Sequence, residues 1–142
     1  MKVESVLATK GPRVVTVEAA APIRAASELL SDENIGALVV LDGGPIPIGI
    51  LSERDIVHAL ASGEHVLEHT VDTYMTRDVL CGSPGDDVEA VLETMTQRHF
   101  RHMPVVDDGE LVGIVTIGDL VKAKLREYQG DVDTLQTQLM NA

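Results

Sequence analysis

Two segments of this 142-residue chain place a hydroxyl three positions ahead of a carboxylate: Ser52-Glu53-Arg54-Asp55 and Thr116-Ile117-Gly118-Asp119. A glycine stands three residues before each, Gly49 and Gly113, so Gly-x-x-Ser/Thr-x-x-Asp is written twice. Each copy follows an apolar run and opens a helical pattern, with the helix expected to begin at or just after the aspartate. A helix start exposes unpaired backbone N–H groups and the positive end of the helix dipole, which suit an anion such as phosphate. The hydroxyl serves the same region. The aspartate accepts two hydrogen bonds side by side, the pattern that a ribose 2′,3′-diol presents. The same residue types also cap helices, where an Asp contributes about 1 kcal/mol. The two roles are compatible, because a capping carboxylate keeps a free oxygen.

Other chemistry finds less support. His65 and His69 have the i, i+4 spacing of a helical metal pair, but no Glu follows His65 to complete a zincin pattern. His99 and His102 lack a Cys or carboxylate partner at a recognised zinc spacing. Ser52 is not in a Gly-x-Ser-x-Gly elbow. Neither a Walker A loop nor a Gly-x-Gly-x-x-Gly fingerprint is present. Cys81 falls on an expected strand and reads as a small core residue. The residues point to binding rather than catalysis, with no metal and no catalytic cofactor.

Composition narrows the partners. With 11 Lys and Arg against 23 Asp and Glu, the net charge is −12. Phosphate backbones and anionic lipid repel such a chain, which argues against nucleic acid and membrane surfaces. Hydrophobic residues are 44% and aromatics 2%, so the core must be aliphatic. A single cysteine suits a reducing compartment. No signal-like start and no apolar stretch near the roughly 20 residues of a membrane helix is visible, and a soluble cytoplasmic protein is expected.

The elements that must position the motifs repeat as well. In the first copy a strand is expected at Val14–Val17, a helix carrying Ile23, Ala26, Leu29 and Leu30, then strands at Ala37–Leu41 and Ile46–Leu51 about an Asp42–Pro45 turn. A second helix follows, ended by Gly63. The second copy gives a strand at Val79–Leu80 and a helix over Val88–Met95 behind an Asp86/Glu89 capping box. Strands at Met103–Val106 and Leu111–Val115 flank an Asp107–Glu110 hairpin turn, and a last helix carries Leu120 and Leu125. Val3–Leu7 and Val71–Met75 are matching introductory turns. The pattern predicts an α+β fold of two pseudosymmetric β-α-β-β-α repeats packed sheet to sheet, at 1–65 and 66–127, with a C-terminal helical extension at 128–142. In that extension Val121, Leu125, Tyr128, Val132, Leu135 and Leu139 form a heptad seam, although Gly130 weakens the helix there.

The doubled motif, the order of elements and the run Arg101-His102-Met103-Pro104-Val105-Val106-Asp107 resemble a tandem pair of CBS domains, a Bateman module, over about residues 3 to 127. The resemblance implies two clefts between the repeats for adenosine-containing ligands, Asp at the ribose and Ser/Thr near phosphate. The first cleft would use Ser52, Arg54 and Asp55 with Val79, Leu80, Phe100, Arg101 and His102. The second would use Thr116, Gly118 and Asp119 with Arg13, Val14, Ile35, Gly36 and Ala37. On these residues the first cleft is expected to be cationic and the second roomier and poorer in charge. AMP is the first choice of ligand, with ATP or NAD(H) as alternatives. The implied protein is a non-catalytic regulatory homodimer that acts on another protein in trans. The competing expectation is a dimerisation scaffold whose clefts stay empty.

Overall fold

The computed structural model describes residues 1–141. In chain order the elements are α1 Val3–Lys10, β1 Thr16–Glu18, α2 Ile23–Glu33, β2 Ala37–Leu41, β3 Gly49–Ser52, α3 Glu53–Ser62, α4 Val71–Tyr74, α5 Val88–Arg98, β4 His102–Asp107, β5 Glu110–Thr116 and α6 Ile117–Met140, with a 3-10 turn at Val66–Glu68. The fold is the expected mixture of helix and strand. β1 runs parallel to β2, and β2 pairs antiparallel with β3. β4 and β5 form an antiparallel hairpin through Asp108 (φ 53°) and Gly109 (φ 78°), the two left-handed residues that such a tight turn requires.

The first strand is Thr16–Glu18 rather than Val14–Val17, and other expected boundaries moved for local causes. The first return strand starts at Gly49 rather than Ile46, because Pro45 and Pro47 have no N–H to donate to a ladder. Ile46 and Ile48 are accordingly exposed. No strand forms at Val79–Leu80; a single parallel bridge, Gly82 to Val105, replaces it. Asp78 there turns through the left-handed region (φ 55°), and Pro84 lacks a donor. Cys81 is therefore exposed rather than in the core. The cap of α5 is Asp87, which accepts from Ala90 N–H at 3.0 Å, while Asp86 accepts from Ser83 N–H. α6 runs through Gly130 without a break.

Two apolar clusters form. One gathers Ile23, Leu30, Leu38, Val40, Leu51, Val71 and Met75; the other gathers Val3, Val6, Val88, Met95, Val105, Val115 and Leu120. The introductory segments have thus changed places. α1 precedes the first repeat in sequence but packs in the core of the second, and Val71 and Met75 pack in the core of the first. Side chains alternate across a strand, so Val39 and Ile50 lie on the face opposite Leu38, Val40 and Leu51. Both are nevertheless buried, as is Pro104 in β4, so the sheets are covered on both sides.

The exchange explains the glycine of each motif. A Cβ on Gly49 would lie 2.6 Å from Met75 Sδ and 2.9 Å from the Thr76 carbonyl oxygen. A Cβ on Gly113 would lie 2.7 Å from Leu7 Cδ2. Each glycine is where the exchanged segment presses onto the strand that leads into the motif.

Candidate functional site

Both motifs fold the same way. Ser52 and Thr116 are the N-caps of α3 and α6, and Asp55 and Asp119 occupy the third helical position. The helices begin earlier than expected, and the hydroxyl residue rather than the aspartate is the cap. Asp55 N–H donates to Ser52 Oγ at 3.2 Å, and Ser52 N–H donates to Asp55 Oδ2 at 2.9 Å. The corresponding bonds of Thr116 and Asp119 are 3.1 Å and 2.9 Å. This reciprocal box fixes each carboxylate at a helix start and still leaves acceptor capacity on the other oxygen.

Asp55 opens onto a cleft of about 620 Å³. All eight residues expected at the first cleft line it: Ser52, Arg54 and Asp55 from the motif, and Val79, Leu80, Phe100, Arg101 and His102 from the other repeat. Thr76, Asp78, Arg98 and His99 join them, unforeseen. The Thr76 hydroxyl donates to Asp55 Oδ1 at 3.2 Å. Arg54, Arg98 and Arg101 give the wall three guanidinium groups beside the carboxylates of Glu53, Asp55 and Asp78, and among the described residues none of the three pairs with a carboxylate. His99 ends α5 in the left-handed conformation (φ 58°), so its backbone is structural even where its ring faces the cleft.

The residues expected at the second cleft are more scattered. Gly36 lines the first cleft instead, where a Cβ would stand 3.6 Å from His102 Nε2 and 3.7 Å from Glu53 Oε1. Ala37 is buried in β2 opposite Ser52, Ile35 packs against the first core, and exposed Arg13 pairs with Glu33. Val14 is half-buried ahead of β1, and Gly118 is exposed beside Thr116. The second site is also not poor in charge. Lys10, at the end of α1, reaches Asp119 Oδ2 at 2.6 Å. The sequence held a signal for it: aligning Val3 on Val71 sets Lys10 opposite Asp78, a first-cleft residue.

Two groups here have displaced acidities. Burial lowers the His102 pKa below its ordinary 6.5, the charges of Lys10 and Arg101 lower it further, and Asp119 and Glu53 oppose them. Burial would raise Asp119, but the Lys10 hydrogen bond, the Thr116 backbone bond and the Lys10 charge outweigh it and hold the carboxyl below its ordinary 3.8. Both shifts make acid destabilising, in different windows. The native state resists protonating His102, so stability falls as pH drops below 6.5; the stability from Asp119 is lost only below 3.8. A His102→Asn variant should therefore lose less melting temperature than the wild type between pH 7 and pH 5, as read by scanning fluorimetry. Equal slopes would contradict the burial of this ring.

The other candidate chemistry is not assembled. His65 lies in the left-handed region (φ 58°) and is separated from His69 by the 3-10 turn, so the two do not share a helical face. The ring of His69 stacks on Tyr74. Cys81 is exposed overall, but partial desolvation of its sulfur pushes the thiol up, away from a reactive thiolate. No helix among the described residues is long and apolar enough to cross a membrane.

A duplicated α+β unit with capped Ser/Thr–Asp motifs and a cleft between its halves defines a tandem-repeat module. The CBS domain profile matches residues 3–62 and 71–126, and the chain belongs to the CBS-domain family. It is 36% identical over 136 residues to an uncharacterized 17.7 kDa protein of Acidianus ambivalens, an alignment covering 95% of this chain and 77% of that one. The crystal structure of the CBS-domain containing protein ATU1752 from Agrobacterium tumefaciens superposes with a TM-score of 0.83 at 39% identity, over 87% of this chain and 99% of that one. The CBS domain pair of protein MJ0100, solved in complex with 5-methylthioadenosine and S-adenosyl-L-methionine, gives 0.79 at 28% identity, over 89% and 98% of the two chains.

Proposed function

We propose that this CBS pair is a non-catalytic regulatory module that binds an adenosine nucleotide between its repeats and acts on a partner protein in trans. The carrying observation is the first cleft, where a fixed Asp55 carboxylate at a helix start shares one cavity with three guanidinium groups free of carboxylate partners. The carboxylate suits a ribose diol and the guanidinium groups suit phosphate. A volume of about 620 Å³ lies in the range of small-molecule sites. The adenosine ligands of the MJ0100 pair support the same ligand class. AMP fits best, because it joins one ribose to one phosphate; ATP and NAD(H) present the same elements in larger form. Binding acts on the partner only through its difference in affinity between conformations of the module. The exposed seam on α6 supports a homodimer.

A thermal-shift panel of AMP, ADP, ATP, NAD, NADH, S-adenosylmethionine and 5-methylthioadenosine tests this. At a hundredfold excess over its dissociation constant the ligand adds about 2.7 kcal/mol, roughly 10 °C for a chain of this size. Arg101→Ala should weaken a phosphorylated ligand at least about tenfold, the loss of one charge-assisted bond. No shift with any compound, and no nucleotide released from purified protein, would leave the dimerisation scaffold as the better reading.

A further inference from the structure

Lys10 is 109 positions from Asp119, yet its Nζ donates to Asp119 Oδ2 at 2.6 Å and to the Ile114 carbonyl at 2.8 Å. The side chains of the pair are only 29% and 23% exposed. The same carboxylate oxygen accepts from Thr116 N–H. α1, which carries Lys10, is anchored by Leu7 against Gly113, so the ammonium is delivered by packed structure rather than by a loose tail. The first cleft is built the opposite way. Asp55 receives the neutral hydroxyl of Thr76, and the position matching Lys10 is Asp78.

We propose that Lys10 is the specificity-determining residue of the second site, restricting it to nucleoside phosphates over neutral nucleosides. This rests on the adenosine reading above. A ribose diol that grips both oxygens of Asp119 can use the open Oδ1 but must compete at Oδ2 with an ammonium already bound there. A neutral nucleoside would replace an ion pair by hydroxyl–carboxylate bonds and leave Lys10, whose charge acts on His102, without a counter-ion. A nucleoside phosphate brings the counter-ion with it: Lys10 turns from Asp119 to the phosphate, and the N-terminus of α6 supports the same charge. The ammonium is compensated before and after binding. In the first cleft no ammonium has to be displaced from Asp55.

The test uses the full chain with the first cleft disabled by Asp55→Ala, or by Arg54→Glu should the former fail to fold, and calorimetry with AMP and with adenosine. AMP should bind more tightly than adenosine, adding Lys10→Met should lower that preference at least about tenfold, and Lys10→Arg should retain it. A ligand-free readout runs in parallel: the His102 titration followed by NMR should move up in Lys10→Met. An unchanged preference, an unmoved His102, or a disabled protein that binds neither compound while the wild type binds AMP would each overturn the assignment. A wild type that binds no adenosine compound would instead sink the adenosine reading, and the role of Lys10 with it.

Discussion

Replacing Gly49 by alanine should lower stability by about 2–3 kcal/mol, whereas the same change at Gly113 should cost about 1 kcal/mol or less. The motifs look equivalent, but what presses on the two glycines differs. At Gly113 the new methyl would meet only the end of the Leu7 side chain, which can change rotamer. At Gly49 it would stand 2.9 Å from the Thr76 carbonyl oxygen as well as against Met75. That carbonyl accepts from Ile50 N–H at 3.0 Å, and Thr76 N–H donates back to the Ile50 carbonyl at 2.8 Å. Side chains yield, but a paired backbone does so only by breaking the pair. The melting temperature of Gly49→Ala should fall by roughly 10 °C in scanning calorimetry. The Thr76 bond to Asp55 is tied to the same segment, so nucleotide affinity at the first cleft should fall with it. Equal losses at the two glycines would mean that the backbone contact yields as easily as a leucine side chain.

Most of the architecture was legible because it rests on local chemistry. β2, the α2 and α5 faces and the hairpin at 107–110 follow from periodicity and turn residues, which act over a few positions, while the helices of the two motifs were legible as helices but not in their caps or starting residues. Every first-cleft residue inferred from the family resemblance lines one cavity. What could not be read is what depends on which copy packs against which. Apolar spacing shows that α1 has a face to bury, but nothing in the spacing says that the face belongs to the second core. Spacing therefore does not bring Lys10 to Asp119, and the second motif reads from sequence as poorer in charge than the structure makes it. Gly36, expected at the second cleft, lines the first for a related reason: it sits beside His102, whose acidity feels Lys10 and Asp119 of the second motif as well as Arg101 and Glu53 of the first cleft. The two sites meet there, and a residue at a junction has no single owner. Val79–Leu80 failed as a strand because β-branched content says nothing about whether Asp78 and Pro84 leave donors to pair.

Truncation after Gln129 should convert the proposed homodimer into a soluble monomer, as read by size-exclusion chromatography with light scattering. α6 spans 24 residues, about 36 Å of helix, and runs beyond the last family-matched residue, 126. Its inner face is covered, with Leu120 and Ala123 buried, while Val121, Leu125, Tyr128, Val132, Leu135 and Leu139 are all exposed. Their spacing of four, three, four, three, four is that of a coiled-coil seam, which has no reason to persist past the module unless a second helix covers it. The flanking positions allow such a partner to be another copy in parallel register. Lys124 would lie beside Gln129, and Asp131 beside Gln136, so no like charges oppose. Leu135→Glu should dissociate the proposed dimer as the truncation does, while the nucleotide-induced thermal shift stays, because the lining of the first cleft lies within residues 36–102. Gly130→Ala should act the other way. A side chain there meets nothing within 4 Å, and alanine recovers about 1 kcal/mol of helix propensity per chain in the middle of the seam. If the truncated protein is still a dimer, the contact belongs to the modules, where Val57 and Leu60 on α3 are among the exposed apolar residues available to make it, with Ile46, Ile48 and Leu80.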